Sequence, residues 1–431
     1  MKRHARKDAG LRPVKSIPIE TPSFQNWSCR GCANCCRDTL RVELSAEEQQ
    51  LLAAQGWSQT EGVDPASMIV TEGGRARLGH RSDGACVFLD AASRCRIHAK
   101  FGEPAKPLAC RSFPFALHPA GRKLVASLRF SCPGAVENLG PPLAAQTADL
   151  RELAEAVVPA GCDRRPPPSV WREPGLDWED FLRYVGWLDR TLADEDVPSA
   201  LKVCRALSWL QAVAKASFDG LTGPAADEIL AALVGSAARK FPAPPDDGAK
   251  PSSLGGFLLR QLAIECACAP ALRDRRLASA YRWKQLWLLV RIAGRAGHLP
   301  SLGGASRKVR FEEIEKPRGP LPAAAEAMLT RFLRVKVRGL HFCGPAFYDA
   351  SLIAGFQSLT LAFAAVLWLA RWQAAAAGRS NPSELDVARS MMMVDHHHGH
   401  AWPLSMLLDR LRIPLLTQRD DLTKLCLWYA R

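Results

Sequence analysis

The sequence predicts an α+β protein, mostly α, in which a small irregular cysteine domain is followed by a helical domain. Three observations carry this. Eight of the 14 cysteines fall in the first third of the 431-residue chain. Four of them sit in Cys29-Arg30-Gly31-Cys32-Ala33-Asn34-Cys35-Cys36. From about residue 176 onward, apolar residues recur at helical spacing between Pro and Gly breakers.

The bulk numbers narrow the class. A hydrophobic fraction of 48 % belongs to a globular chain, long enough for two or three domains. No apolar stretch follows the charged start, Met1-Lys2-Arg3-His4-Ala5-Arg6-Lys7, so no secretory signal is visible. The expected compartment is therefore the cytoplasm, where clustered cysteines bind metal or act in catalysis more often than they form disulfides. The net charge is +14. Part of it lies in residues 1–16, where six Lys/Arg meet one Asp. No helix-turn-helix, zinc-finger or RNA-binding signature accompanies that charge, so a nucleic-acid partner is not supported.

Taken in order, residues 1–26 read as a basic, Pro-containing, disordered tail. Residues 27–140 hold the cysteines. Strand-like runs occur at 39–44, 86–89 and 123–130. Ser45 with Glu48 makes a capping box, predicting a helix to about Gln55 before Gly56. Pro104, Pro107, Pro114, Pro119 and Pro133 argue against long regular elements between the later cysteines. Residues 141–175 are a helix (144–158) and a Pro-rich linker at Pro166-Pro167-Pro168. Residues 176–431 form the helical domain. Its expected helices are 178–193, 199–215, 225–240, 253–268, 275–296, 323–335, 346–376, 383–398 and 418–430. The apolar run 352–370 is about 19 residues, long enough to cross a membrane. Gln357, Ser358 and Thr360 interrupt it, and it reads as a buried core helix, with no membrane span.

The cysteine spacing carries the chemistry. Each C-x-x-C step lets two thiolates from one tight turn chelate the same centre, and Gly31 lets the backbone bend close to it. Cys36 follows Cys35 directly, and adjacent side chains usually diverge. That pair suggests two metal centres or a polynuclear cluster. Cys86, Cys95, Cys110 and Cys132 complete a set of eight, so residues 27–140 are expected to be metal-bound. Arg30, Arg37, Arg96, Lys100, Lys106 and Arg111 are interleaved among the sulfurs. Arg111 is the expected cation beside them, and His98 is a secondary ligand candidate.

These residues resemble a known family. Cys29 to Cys36, Cys86-x-Phe88-Leu89, Cys95-x-Ile97-His98, Pro107-x-x-Cys110-Arg111-x-Phe113-Pro114 and Cys132 look like the CxxCxxCC family, a zinc- or iron-chelating domain with eight characteristic cysteines. All eight have counterparts here. The resemblance covers about residues 27–135 and implies chelation of zinc or iron. A looser similarity of layout reaches the flagellin lysine-N-methylases, which join such a domain to a helical C-terminal region. It implies an alternative, a cluster-dependent protein-lysine N-methylase acting on a protein substrate with S-adenosylmethionine. No catalytic position carries over from it. A third reading is an architectural zinc module in a basic, partner-binding protein. The paired Cys35-Cys36 lean toward iron, as a [4Fe–4S] cluster, over structural zinc.

Other candidates fall away. In Asp395-His396-His397-His398-Gly399-His400, Gly399 and Pro403 end the helix, so a polar helix terminus is expected and not a second metal site. Cys266-x-Cys268 sits in an apolar helix and reads as buried thiols. His341-Phe342-Cys343-Gly344-Pro345 reads as a helix-start loop. No dinucleotide, phosphate-loop, radical S-adenosylmethionine or serine-nucleophile motif is present.

Overall fold

The computed structural model describes residues 13–39, 42–171, 175–216, 222–243, 250–268, 291, 297–300, 302, 307–316, 318–399 and 403–431, leaving aside the side chains of 38–39, 268 and 403–410. The expected helix 275–296 lies almost entirely outside them. The architecture is α+β, mostly α. Small sheets and short helices come first, and a packed helical body follows.

The helical body is built from α6 (Trp178–Ala193), α7 (Ser199–Lys215), α8 (Gly223–Lys240), α9 (Ser253–Cys268), α10 (Phe311–Glu315), α11 (Ala323–Arg338), α12 (Leu352–Ala376), α13 (Glu384–His397), α14 (Pro403–Gln418) and α15 (Asp421–Ala430). Local chemistry sets several starts. Asp177 accepts the amide of Asp180 at 2.9 Å to begin α6. Ser383 and Asp386 form a capping box on α13. Ser351 caps α12. That helix begins six residues later than expected because Tyr348 and Asp349 turn through left-handed backbone, φ 54° and 55°. The sequence reading missed α14. Pro414 sits inside it, and a proline removes one ladder hydrogen bond. The helix survives because it packs on α9, α12 and α15.

The apolar helix α12 is the axis of the body. It packs against α7, α9, α10, α13, α14 and α15. Its most apolar window is 89 % buried in protein, so α12 is a core helix. Arg371, 1 % exposed, lies within it. Its guanidinium donates to the carbonyls of Ile314 and Lys316, both at 3.1 Å, of Trp428 at 3.2 Å, and of Arg431. These acceptors lie at the C-terminal ends of α10 and α15, where carbonyls have no intrahelical partner. One planar cation thus ties two helix ends to the axis.

The N-terminal part is mixed. β1 (Ile19–Glu20), β5 (Lys123–Leu128) and β4 (Phe115–Ala120) form a three-stranded sheet in that order. β4 and β5 are antiparallel, and β1 joins β5 in parallel with Ile19 opposite Leu124. Pro119 lies within β4, which is tolerated because β4 is an edge strand. A separate hairpin pairs β2 (Ile69–Glu72) with β3 (Arg75–Leu78) around Gly73-Gly74, both at positive φ. Short helices α1 (Ala46–Ala54), α2 (Arg96–Phe101), α3 (Leu108–Ser112) and α4 (Pro133–Glu137) punctuate the loops, and α5 (Thr147–Val157) follows. The capping box of α1 is present, with Glu48 N donating to Ser45 Oγ at 3.2 Å.

Three expectations are corrected. Residues 13–26 are not a disordered tail: Val14 and Ile17 are buried with Leu117, Leu124 and Leu153, and Gln25 donates to the Ala135 carbonyl at 3.1 Å. Apolar residues there find a sheet to pack on. The runs 39–44 and 86–89 make isolated bridges, Glu43 to Arg77 and Leu89 to Cys95, in place of strands. The hairpin β2–β3 and the strand β4 arise where no strand was expected.

The hydrophobic cores cut the chain differently from its composition. Val42, Leu52, Trp57, Leu78, Phe88 and Ile97 belong to a small core of their own. Leu128, Phe130, Cys132 and Val136 belong to the same continuous core as the helical body. Phe130 meets Phe332 of α11 edge-on at 5.1 Å.

Candidate metal centre

The cysteine loop bends at two left-handed positions, Gly31 (φ 62°) and Ala33 (φ 56°), before one turn of π-helix, Cys35–Thr39. Within it Cys36 N donates to Ala33 O at 2.9 Å. The thiols of Cys35 and Cys36 lie 3.8 Å apart. They do not diverge as expected, because the wider π-turn rotates successive residues less. A single backbone bond, Cys86 N to Cys36 O at 2.6 Å, fastens the second segment to the first. Cys95 sits just ahead of α2, where Arg96 N reaches back to Phe88 O at 2.8 Å. Cys110 rides on α3, and Cys132 precedes α4.

Electrostatics show which sulfurs neighbour one another. Hydrogen bonding to Cys36 and then burial hold the Cys35 thiol far above its ordinary range. Burial first, with the charges of Cys95 and Cys35 behind it, pushes Cys86 up to about 11. Burial also raises Cys110, and Cys86, Cys95 and Cys35 add to that. Cys36, Cys86, Cys95 and Cys110, from four chain segments, pack against the same small core, and Cys35 adjoins them through Cys36. Lys106 is the cation that opposes the rise at Cys35 and Cys110. Cys132 is raised by burial and by Cys32, with the Trp27 indole acting the other way. A cleft of about 540 Å³ is lined by Cys29, Cys32, Cys35, Cys110 and Cys132 and joins the two groups. Cys29 and Cys32 are exposed.

Among the described residues, no three His, Cys, Asp or Glu side chains form a ready-made coordination shell. The donor chemistry nonetheless fits zinc or iron. Crowded thiols with one nearby lysine resist ionisation, and a thiophilic cation is what ionises such a set. Thiolate donors select zinc, copper(I) or iron–sulfur centres over hard cations.

The flanking charges differ from expectation. Arg111 lines the thiol cleft but pairs with Glu152 at 3.1 Å, and Lys106 is the cation that acts on Cys35 and Cys110. His98 Nδ1 meets Glu103 at 3.1 Å, and the same carboxylate takes Lys106 at 3.1 Å. Arg30 pairs with Glu137, and Lys100 with Glu61. Elsewhere, α13 ends at His397, as Gly399 implied. His398 stacks on Phe347 at 4.6 Å, and its Nε2 meets Ser358 Oγ at 3.3 Å. His400 and the Cys268 side chain lie outside the described residues. Cys266 is buried, as expected.

One polar feature escaped the sequence reading. Asp395, noted there only for its histidine neighbours, is buried and pairs with Lys336 at 2.5 Å. Its second oxygen accepts the amide of Ser131 at 3.0 Å, and Asn34 Nδ2 reaches the Ser131 carbonyl at 3.4 Å. Ser131 thus joins the helical body to the cysteine loop, one residue before Cys132. The signal was faint: one acid directly after the apolar run Met391-Met392-Met393-Val394.

Comparison with known proteins agrees with the sulfur geometry. The chain is similar to the flagellar biosynthetic protein FliU of Salmonella muenchen, 26 % identical over 129 residues, which span 28 % of this chain and 75 % of that protein. No solved structure matches. Residues 28–133, with all eight cysteines, match the family model CxxCxxCC, described as a "Putative zinc- or iron-chelating domain".

Proposed function

We propose that this protein holds a polynuclear zinc or iron centre on Cys35, Cys36, Cys86, Cys95 and Cys110, with Cys29, Cys32 and Cys132 supplying the remaining thiolates from the adjoining cleft. The supporting observation is that Cys36, Cys86, Cys95 and Cys110, from four separate segments, pack on one small core with the Cys35 thiol 3.8 Å from Cys36. A tetrahedral ion takes four ligands and an iron–sulfur cluster four cysteines, so eight sulfurs have the capacity for two ions, or for one cluster with a second centre beside it. Lys106 offsets part of the negative charge. Unbridged thiols in this number suit a reducing compartment, the cytoplasm.

The test is elemental analysis with an absorption spectrum on protein purified without oxygen. Brown protein bleached by dithionite identifies an iron–sulfur centre. Colourless protein carrying stoichiometric zinc identifies an architectural zinc pair. Metal-free protein that takes up neither zinc nor iron overturns the reading.

The similarity of layout to the flagellin lysine-N-methylases supplies a second reading, and the likeness to a flagellar biosynthetic protein is in keeping with it. In it, the metal domain and the helical body together form a protein-lysine N-methylase using S-adenosylmethionine. Equilibrium dialysis with labelled S-adenosylmethionine tests it, and absence of binding to the metal-loaded protein removes it.

A further inference from the structure

A cavity of about 1100 Å³ opens between the start of α7, the solvent-side face of α11 and the C-terminal helix α15. No cysteine lines it. Its walls include Val197, Leu201, Leu321, Ala327 and Leu427.

The polar groups facing it are of two kinds. Some are already committed. Glu326 accepts the amide of Ser199 at 2.7 Å. Arg334 is held by both oxygens of Asp189, at 2.8 and 3.2 Å, and lies 4.1 Å over the Phe24 ring. Others make no direct ion pair. Lys202 is 5 % exposed, and its Nζ has a neutral partner, Thr330 Oγ1, at 3.1 Å. Arg331 donates to the Val136 carbonyl, and its Nε is buried without a partner. Among the described residues, neither cation has a carboxylate within ion-pair distance.

Glu326 acts on Lys202 and Glu384 on Arg331 through space, but neither acid makes a direct ion pair with them, so both cations keep a contact to offer an anionic group entering the cavity. Burial lowers both pKa values, Arg331 to about 10, while Glu326 works against the fall at Lys202. The rim carries the exposed carboxylates Glu195 and Asp196. Those acids disfavour a polyanion, and the apolar walls disfavour a small hydrated one.

We propose that this cavity binds an amphiphilic organic monoanion, an apolar body bearing one carboxylate, whose head group is taken by Lys202 and Arg331. The site is independent of the metal centre. Pockets of this kind combine apolar walls with a few convergent polar groups that fix orientation.

Calorimetric titration of the full-length protein with decanoate and with decylammonium tests the assignment. Decanoate binds saturably at one site, and decylammonium binds at least about tenfold more weakly, a gap of the size one charge contact makes. Lys202→Met weakens decanoate by about tenfold or more, whereas Lys202→Arg keeps it within about threefold. Because Lys202 is buried, Ala327→Trp provides a second variant. Ala327 is exposed at the cavity wall, so the indole fills the cavity with little effect on folding, and decanoate binding is lost. Equal binding of the two amphiphiles, no decanoate binding at millimolar concentration, or full binding by Ala327→Trp overturns the proposal.

Discussion

Lys336 of α11 and Asp395 of α13 form an ion pair 2.5 Å long, with side chains only 3 % and 1 % exposed. Two elements 59 residues apart are thereby joined inside the core, directly behind Ser131 and the cysteine loop. Burial works to raise the Asp395 pKa, but Lys336 and Arg129 hold it below the usual carboxylate range. Burial depresses Lys336 below the usual lysine range.

Asp395→Asn leaves a buried ammonium without its partner. The expected loss is about 3–5 kcal/mol, the usual cost of breaking one side of a buried pair. Lys336→Met combined with Asp395→Leu recovers part of it, because the buried Ser131 amide then loses its acceptor. The sign in pH follows from the lowered carboxyl pKa. The unfolded chain takes up this proton first as pH falls, so the stabilisation is present above about pH 4 and fades below it. Urea unfolding between pH 3 and 7 checks this. The gap between wild type and Asp395→Asn narrows on the acid side, and a constant gap contradicts the assignment.

Metal removal acts locally. Cys36, Cys86, Cys95 and Cys110 pack against the small core around Trp57, Phe88 and Ile97, which is separate from the helical core. A strong chelator, or Cys86→Ser, therefore raises amide exchange across β2, β3 and α2 while α12 stays protected. Hydrogen exchange read by mass spectrometry shows this. A uniform rise across the chain speaks against two separable cores.

Arg371→Met removes the donors shared by four carbonyls at the ends of α10 and α15. Each buried acceptor left unpaired costs about 1–3 kcal/mol, so a loss of several kcal/mol is expected even after relaxation. Arg371→Lys rescues little, because an ammonium lacks the planar fork that reaches both helix ends. Guanidinium melts of the two variants decide the point. Near-complete rescue by lysine removes the geometric argument.

Two helical glycines make opposite forecasts. A Cβ on Gly355 of α12 meets the Phe342 carbonyl oxygen at 1.9 Å, whereas one on Gly186 of α6 meets nothing within 4 Å. Gly186→Ala is expected to be neutral or to add up to about 1 kcal/mol, from higher helix propensity. Gly355→Ala forces α12 away from the loop before it and destabilises strongly. Thermal melts that rank the two variants the other way exclude this packing.

Local signals were the readable ones. The bounds of α6, α7 and α9 follow from helical periodicity between breakers, and the Ser45/Glu48 box set the start of α1. What failed was non-local. β4 carries Pro119 and is a strand because β5 supplies its partner and its open edge faces outward. α14 keeps Pro414 because its neighbours hold both sides of the break. Residues 13–26 look like a tail until β5 and Leu153 give Val14 and Ile17 a surface to cover.

The same division runs through the candidate sites. The types and spacing of eight thiols were enough to indicate a metal domain, because chelation by C-x-x-C depends on residues a few bonds apart. Which sulfurs neighbour which, that Lys106 acts on Cys35 and Cys110 while Arg111 pairs with Glu152, that Asp395 meets Lys336, and that Lys202 opens on a cavity were decided only by tertiary packing. Those relations depend on distances between segments far apart in the chain, and no pattern of neighbouring residues encodes a distance of that kind.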